Sequence, residues 1–179
     1  YVIASDTDSI YLNLGPLVER VYEGREKTTE GVVSFLNKIC EVELEPYIES
    51  SYQELADYVN AYDQKMIMKR ENIADRGIWT AKKRYILNVW DSEGVRYNEA
   101  KLKIMGIEAV KSSTPAPCRQ AIKDALKVMM SGTEDEMIDY IDTFRNQFKS
   151  LPPEDISFPR TVSDVVKYKG RNAIYEKGT

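Results

Sequence analysis

The feature that most constrains this chain is a pair of aspartates, Asp6 and Asp8, set between two short apolar runs. Residues 1–4 precede the pair and residues 10–14 follow it, and both runs are rich in the β-branched and aromatic residues that favour strands. The pattern predicts a strand, a tight turn and a second strand, with both carboxylates at the turn. Two acids this close repel each other unless a cation lies between them, and their oxygens suit magnesium. The turn is therefore a candidate metal site.

Two other interpretations fit the aspartate pair taken alone. Asp-x-Asp is a common turn composition, so the motif is also typical of a solvated turn that binds no metal. A strand ending in Asp-x-Asp also occurs in phosphatases of the haloacid dehalogenase type, where the first acid is the nucleophile. That fold requires a helix and alternating strands and helices after the motif. Because residues 10–14 instead continue as a strand, a phosphatase is the weaker alternative.

Composition narrows the chemistry further. The chain has no histidine, which removes zinc sites of the histidine type and Ser-His-Asp triads. Its net charge is −4, yet Lys and Arg gather at 82–84 and 101–111 while Asp and Glu crowd 41–57 and 133–142. The net charge argues against a generally basic nucleic-acid binder, yet this distribution suits a basic strip that faces a partner. No apolar run approaches the roughly 20 residues of a membrane span, so no membrane partner is expected.

A second motif, Lys82-Lys83-Arg84-Tyr85, lies in a run over 79–90 that predicts one long strand. Because side chains of a strand alternate, Lys83 and Tyr85 are expected on one face, and Lys82 and Arg84 on the other. One face could then neutralise phosphates while the other contacts base edges in the minor groove. Taken alone, a cluster of this kind is more often a solvated basic strand.

A third motif completes the series. Gly106-Ile107-Glu108 is followed by Ser112-Ser113-Thr114-Pro115. In this order the three motifs resemble those of the family B DNA polymerases, most closely those of T4-like tailed phages, and the resemblance covers residues 1–131. Asp-Thr-Asp-Ser resembles the second carboxylate motif of the palm domain. Lys-Lys-Arg-Tyr resembles the motif that holds the primer-template duplex, and the third motif resembles the passage from palm to thumb.

The resemblance implies a fragment of a DNA-directed DNA polymerase, which transfers nucleotides by a two-metal mechanism during DNA replication. Asp8 would bridge two Mg²⁺ ions and Asp6 would bind them more loosely, with a third acid supplied by a palm motif upstream of this chain. Glu71 matches a position where an acid lies near the metal site, although some relatives have another acid where Lys69 stands. With only two acids at the turn, the isolated chain is expected to be inactive.

The same resemblance implies the partners. Primer-template DNA would be bound by Lys82, Lys83, Arg84 and Tyr85, with Lys111 as a further phosphate contact, and deoxynucleoside triphosphates would be the substrates. A sliding clamp is a further expected partner through the full-length protein, and the cytoplasm of the infected host is the expected location. An alternative from a different class is a duplex DNA-binding module that carries out no chemistry.

The pattern predicts an α+β fold in two parts. An antiparallel palm-type sheet backed by two helices would occupy residues 1–110. A partial, mainly helical thumb would occupy residues 111–179, with disorder expected in part of its tail. Thr114 is predicted to cap the first thumb helix, and Thr133 with Glu136 forms a capping box for the next. Because the chain starts inside a strand, we expect an excised piece of a longer protein.

Several palm elements are also predicted. The first hairpin extends to Leu14, where Gly-Pro closes it. A helical pattern over 29–62 is divided by Pro46, which suits the first turn of the second segment. Residues 65–72 are expected to form a strand and residues 75–77 a turn.

Overall fold

The computed structural model of this chain describes residues 2–160 and 163–164, and its first element is the predicted hairpin. β1 (Val2–Asp6) and β2 (Ser9–Leu12) pair antiparallel, with Asp6 opposite Ser9. The hairpin ends at Leu12, two residues earlier than expected, and the Gly-Pro pair begins helix α1 (Gly15–Val21) instead of closing a loop. The physical reason is that the fixed φ of proline suits the first turn of a helix.

Two further helices follow along the predicted helical stretch. α2 (Thr29–Ile39) is capped by Thr28, whose side chain accepts a hydrogen bond of 3.1 Å from the backbone N–H of Gly31. A wide π-helical turn (Cys40–Leu44) joins it to α3 (Glu45–Tyr58). Pro46 lies in the first turn of α3, as predicted, because a missing backbone N–H costs nothing at that position.

A separate three-stranded sheet carries the second motif. Its strands β3 (Asn72–Ala81), β4 (Arg84–Ser92) and β5 (Val95–Met105) lie in the order β3-β4-β5 and are joined by two-residue turns. The predicted α+β class with antiparallel sheets is confirmed. The first hairpin does not join this sheet, however, so the described residues form two sheets where one palm-type sheet was expected.

Two predictions about the approach to this sheet are wrong. Residues 65–71 have no regular secondary structure, and residues 75–77 lie inside β3 instead of forming a turn. The side chain of Asn88 on β4 donates a hydrogen bond of 2.8 Å to Asp75, so a cross-strand pair holds a turn-favouring residue in extended conformation. Pairing with a neighbouring strand outweighs the weak local preference of such residues.

Among the described residues after the sheet the chain is mainly helical, as predicted. It comprises a 3₁₀ turn (Glu108–Val110), α4 (Ala116–Ser131), α5 (Glu134–Lys149) and the short α6 (Pro153–Ile156). The capping box of Thr133 and Glu136 is present. Thr114 does not cap α4, because that helix starts at Ala116 and Pro115 occupies the capping position.

The chain divides into two compact units. The first comprises Tyr1–Ile78 and Leu87–Lys103, and the second comprises Trp79–Ile86 and Ile104–Thr179. In the first, buried side chains include Val18 of α1, Val33 of α2 and Val89 of β4. In the second they include Ile86, Ala109, Leu126 and Met130. Assignment of residues 1–110 to a palm portion and 111–179 to a thumb portion stays a prediction.

The remaining expectations concern the tail and membranes. Most of the tail expected to be partly disordered falls on residues outside the described ranges. Among residues 2–160 and 163–164, no helix combines the length and the apolar character that crossing a bilayer requires.

Candidate metal-binding turn and DNA-binding hairpin

The aspartate turn is tight and internally bonded. The backbone N–H of Asp8 donates to the carbonyl oxygen of Asp6 over 2.7 Å, and the Ser9 hydroxyl donates to the same oxygen over 3.1 Å. Between them Thr7 has a φ of +53°, a left-handed conformation that is rare for a β-branched residue. Its hydroxyl donates to a carboxylate oxygen of Asp6 over 3.2 Å. Thr7 and Ser9 therefore fix the shape of the turn and the position of Asp6.

The two carboxylates of the turn differ in environment. Asp6 is half-buried, whereas Asp8 is exposed. Within the part of the chain that the structure describes, the Asp8 carboxylate forms no ion pair and no side-chain hydrogen bond. Both Asp8 oxygens are therefore available to a cation from outside the chain. Such hard oxygen atoms suit Mg²⁺.

Glu71 does not join the aspartates in a metal-binding cluster. In the described ranges, no three side chains of the His, Cys, Asp or Glu type come together in a group that could hold a metal ion. Glu71 instead pairs with Lys103 of β5. The hydrogen bond from Lys103 is the main reason that the pKa of Glu71 lies below its usual value. An auxiliary role for Glu71 at the metal site stays a prediction.

The basic motif does not form the expected uninterrupted strand. β3 ends at Ala81, a turn consists of Lys82 and Lys83, and β4 begins at Arg84. Lys83 has a φ of +61°, which a non-glycine residue rarely adopts. The prediction that Lys82 and Lys83 lie on opposite faces of a strand is therefore wrong. The two lysines are exposed at the tip of a hairpin, which we call the basic hairpin (residues 79–86).

Gly106 explains where this turn can form. Its φ is +68°, and a Cβ atom at this position would overlap the carbonyl oxygen of Lys83 and lie 3.1 Å from the Cγ atom of Arg84. Only glycine permits this close approach together with a left-handed conformation. The third motif therefore packs directly against the backbone of the basic hairpin.

Glu108 links the basic hairpin to the following segment. One of its carboxylate oxygens pairs with the Arg84 guanidinium, and the other accepts a hydrogen bond of 2.9 Å from the Lys111 ammonium. Lys111 is the main cause of a pKa of Glu108 below its usual value, with its own backbone N–H and Arg84 acting in the same direction. The structure thus brings Lys82, Lys83, Arg84 and Lys111 together within one unit.

Tyr85 makes a structural contact, and its DNA-binding role stays a prediction. Its ring packs against Trp79 of β3, with ring centres 6.3 Å apart. On the same pair of strands, the Thr80 hydroxyl donates to the carbonyl oxygen of Arg84 over 3.2 Å. These contacts stiffen the basic hairpin just behind its lysines.

A buried ion network in the first unit was missed at the sequence level. Asp91 is 2% exposed and pairs with Arg70, which also donates to Asn37 of α2. The backbone N–H of Gly94 donates to Asp91 over 3.0 Å, and the Nε atom of Arg96 lies 3.7 Å from the other Asp91 oxygen. The network therefore ties α2, the segment before β3 and the β4–β5 turn together.

Replacing Arg70 by methionine is expected to lower the free energy of unfolding by about 3 kcal/mol, because the buried Asp91 would keep only the longer pair with Arg96 at 3.7 Å. Urea unfolding of the chain measures this. The control is Arg145→Met, which removes an exposed arginine paired with Asp142 and should change stability by at most about 0.5 kcal/mol. A loss below about 1 kcal/mol for Arg70→Met would show that Asp91 needs no partner.

A cavity lies beside this network, in the first unit. It has a volume of about 650 Å³, and Glu41, Glu45, Glu71 and Glu93 contribute to its lining. Lys69 and Arg70 also line it, but Arg70 is already neutralised by Asp91. Because carboxylates dominate the lining, the cavity does not suit a triphosphate. We assign it no role.

The chain is similar to two phage polymerases. It is 38% identical over 176 residues to the DNA-directed DNA polymerase of Escherichia phage RB69, and 35% identical over 176 residues to the DNA-directed DNA polymerase of Enterobacteria phage T4. Each match covers 94% of this chain and 20% of the relative, so the chain spans about one fifth of the length of these curated relatives. No family model matches the chain. The predicted resemblance to the DNA polymerases of T4-like phages is confirmed.

Proposed function

We propose that this chain is a segment of a phage-type DNA-directed DNA polymerase, and that it supplies part of a nucleotidyl-transfer site and part of a duplex-binding surface. The observation that carries the proposal is the identity of 38% and 35% to the polymerases of phages RB69 and T4 over nearly the whole chain. The exposed Asp8 carboxylate and the exposed lysines at the tip of the basic hairpin agree with it. The narrower assignment to family B is part of this proposal.

The aspartate turn is the proposed metal-binding element. Its donors fit Mg²⁺, because carboxylate oxygens are the hard ligands that this ion prefers and the exposed Asp8 offers two of them. When bound, two Mg²⁺ ions would supply positive charge that lowers the pKa of the attacking 3′-hydroxyl and neutralises the triphosphate and the leaving pyrophosphate. Asp8 would bridge the ions and Asp6 would bind more loosely. A third acid from outside this chain would complete the site.

The basic hairpin is the proposed contact to primer-template DNA. Lys82 and Lys83 at its tip, with Arg84 and Lys111 beside them, present four cations to the sugar-phosphate backbone. Phosphate contacts of this kind position a duplex without reading its sequence, which suits an enzyme that must copy any template. Tyr85, packed on Trp79, would hold the hairpin in place.

Replacing both tip lysines (Lys82→Ala with Lys83→Ala) in the full-length polymerase is expected to raise the Kd for primer-template DNA about 30-fold at physiological salt. The slope of log Kd against log salt concentration should fall by about two, because two phosphate contacts are lost. Fluorescence anisotropy over a salt series measures both quantities. The KM for the incoming nucleotide should not change.

The matched control is a double replacement of exposed lysines far along the chain, Lys38→Ala with Lys149→Ala, which removes the same charge from α2 and α5. We expect its Kd to stay within about threefold of wild type, since surface charges away from the duplex act only weakly. Equal effects of the two double variants would mean that overall charge, and not the basic hairpin, governs binding.

The alternative of a DNA-binding module without chemistry makes a different prediction for the whole protein. Under that alternative, Asp8→Asn would change neither extension nor metal binding by the full-length protein. The phosphatase alternative would give a phosphoaspartate at Asp6, although the motif is followed by strand β2 and not by the helix that such phosphatases need. Inactivity of the isolated chain, a sliding clamp as partner and location in the host cytoplasm also stay predictions.

A further inference from the structure

Glu108 contacts two cations that come from different segments of the chain. Arg84 begins β4, whereas Lys111 follows the 3₁₀ turn that contains Glu108. Each cation uses a different oxygen of the same carboxylate, and the Lys111 distance is 2.9 Å. The three side chains are partly exposed, at 39% for Arg84, 45% for Glu108 and 45% for Lys111. The triad therefore lies at the surface, where a ligand can reach both cations.

The physical effect of the carboxylate is to hold two like charges side by side. Without an anion between them, a guanidinium and an ammonium repel each other, and both side chains lose rotamer entropy when fixed. Gly106 supports the arrangement, because its close approach to Lys83 brings the two segments together. Each cation also keeps spare donors, since a guanidinium has five N–H groups and an ammonium three. Those donors remain available to phosphate oxygens.

We propose that Glu108 is a positioning residue that holds Arg84 and Lys111 together as one phosphate-binding pair for the duplex. The inference rests on the proposed function of the basic hairpin. The inference adds a positioning role for Glu108, an acidic residue within a surface proposed to bind phosphate. If Glu108 instead competed with phosphate for both cations, it would weaken DNA binding.

A double-mutant cycle in the full-length polymerase distinguishes these two effects of Glu108 on DNA binding. The variants are Lys111→Met, Glu108→Gln and their combination, and the Kd for primer-template DNA is measured over a salt series. If Glu108 positions Lys111, the Lys111→Met replacement raises the Kd about tenfold in the wild-type background but about threefold or less in the Glu108→Gln background. The salt slope should fall by about one in the first background and by clearly less in the second.

The control background is Glu99→Gln, which removes the same charge at an exposed position on β5. There the Lys111→Met replacement should still raise the Kd about tenfold. Glu108 is partly exposed and glutamine has nearly the same shape, so we expect thermal unfolding of all variants to match wild type.

Two results would overturn the inference while leaving the proposed function intact. An equal loss in the wild-type and Glu108→Gln backgrounds would mean that the residues act independently, and a larger loss in the Glu108→Gln background would mean that Glu108 competes with phosphate. A change below about twofold for Lys111→Met in the wild-type background would instead contradict the proposed DNA contact of Lys111, and the inference would fail with it.

Discussion

Replacing Asp8 by asparagine in the full-length polymerase is expected to slow primer extension by about 10³-fold or more. The amide keeps the shape of the side chain but removes the negative charge that a bridging metal ligand supplies. Folding should not suffer, because Asp8 is exposed and its backbone, not its carboxylate, holds the turn. Single-turnover extension at saturating primer-template DNA measures the rate, and the Kd for that DNA should stay unchanged.

Two further variants test whether the loss of extension is specific to Asp8. Asp139→Asn replaces an exposed aspartate on α5 and should leave extension unchanged. Asp6→Asn should have a smaller effect than Asp8→Asn, about 10- to 100-fold, because one Asp6 oxygen already accepts a hydrogen bond from Thr7. Extension by Asp8→Asn at more than a tenth of the wild-type rate would remove Asp8 from the mechanism.

Replacing Gly106 by alanine is expected to lower the free energy of unfolding by about 4 kcal/mol. Backbone strain and steric overlap both contribute to this loss. The alanine would be held at a φ of +68°, and its Cβ atom would overlap the backbone of Lys83, which cannot move as a flexible side chain end could. Relief of the overlap would displace the basic hairpin, so primer-template binding should weaken as well. Urea unfolding and fluorescence anisotropy measure the two effects.

Gly24 offers a closely matched control. Its φ is +69°, yet a Cβ atom there would have nothing within 4 Å. Gly24→Ala should therefore cost only the strain of the left-handed conformation, about 1 kcal/mol. The difference between the two variants measures the steric part alone. Equal losses for both would show that the approach of Gly106 to the basic hairpin is unimportant.

The sequence predicts the aspartate hairpin because all of its signals are local. Two β-favouring runs flank a short polar turn, and the strands pair with Asp6 opposite Ser9 beside that turn. The placement of Pro46 and the capping box of Thr133 follow from local rules in the same way. The resemblance to the DNA polymerases of T4-like phages likewise depends on short segments of the sequence.

The turn in the basic motif could not be predicted from its own residues. The run over 79–90 contains neither glycine nor proline, so periodicity alone predicts one continuous strand. The residue that permits the turn is Gly106, more than twenty positions along the chain, and its effect arises only through tertiary contact with Lys83. Likewise, nothing local pairs Arg70 with Asp91.

The most direct test of the metal-binding claim is a count of bound Mn²⁺ ions. Electron paramagnetic resonance detects this substitute for Mg²⁺ in the full-length polymerase, saturated with primer-template DNA and a non-hydrolysable nucleotide. We predict that Asp8→Asn binds at least one Mn²⁺ ion fewer than wild type, and that Asp139→Asn binds the same number as wild type. Equal numbers of Mn²⁺ ions, bound with equal affinity, in wild type and Asp8→Asn would contradict the assignment of Asp8 as a metal ligand.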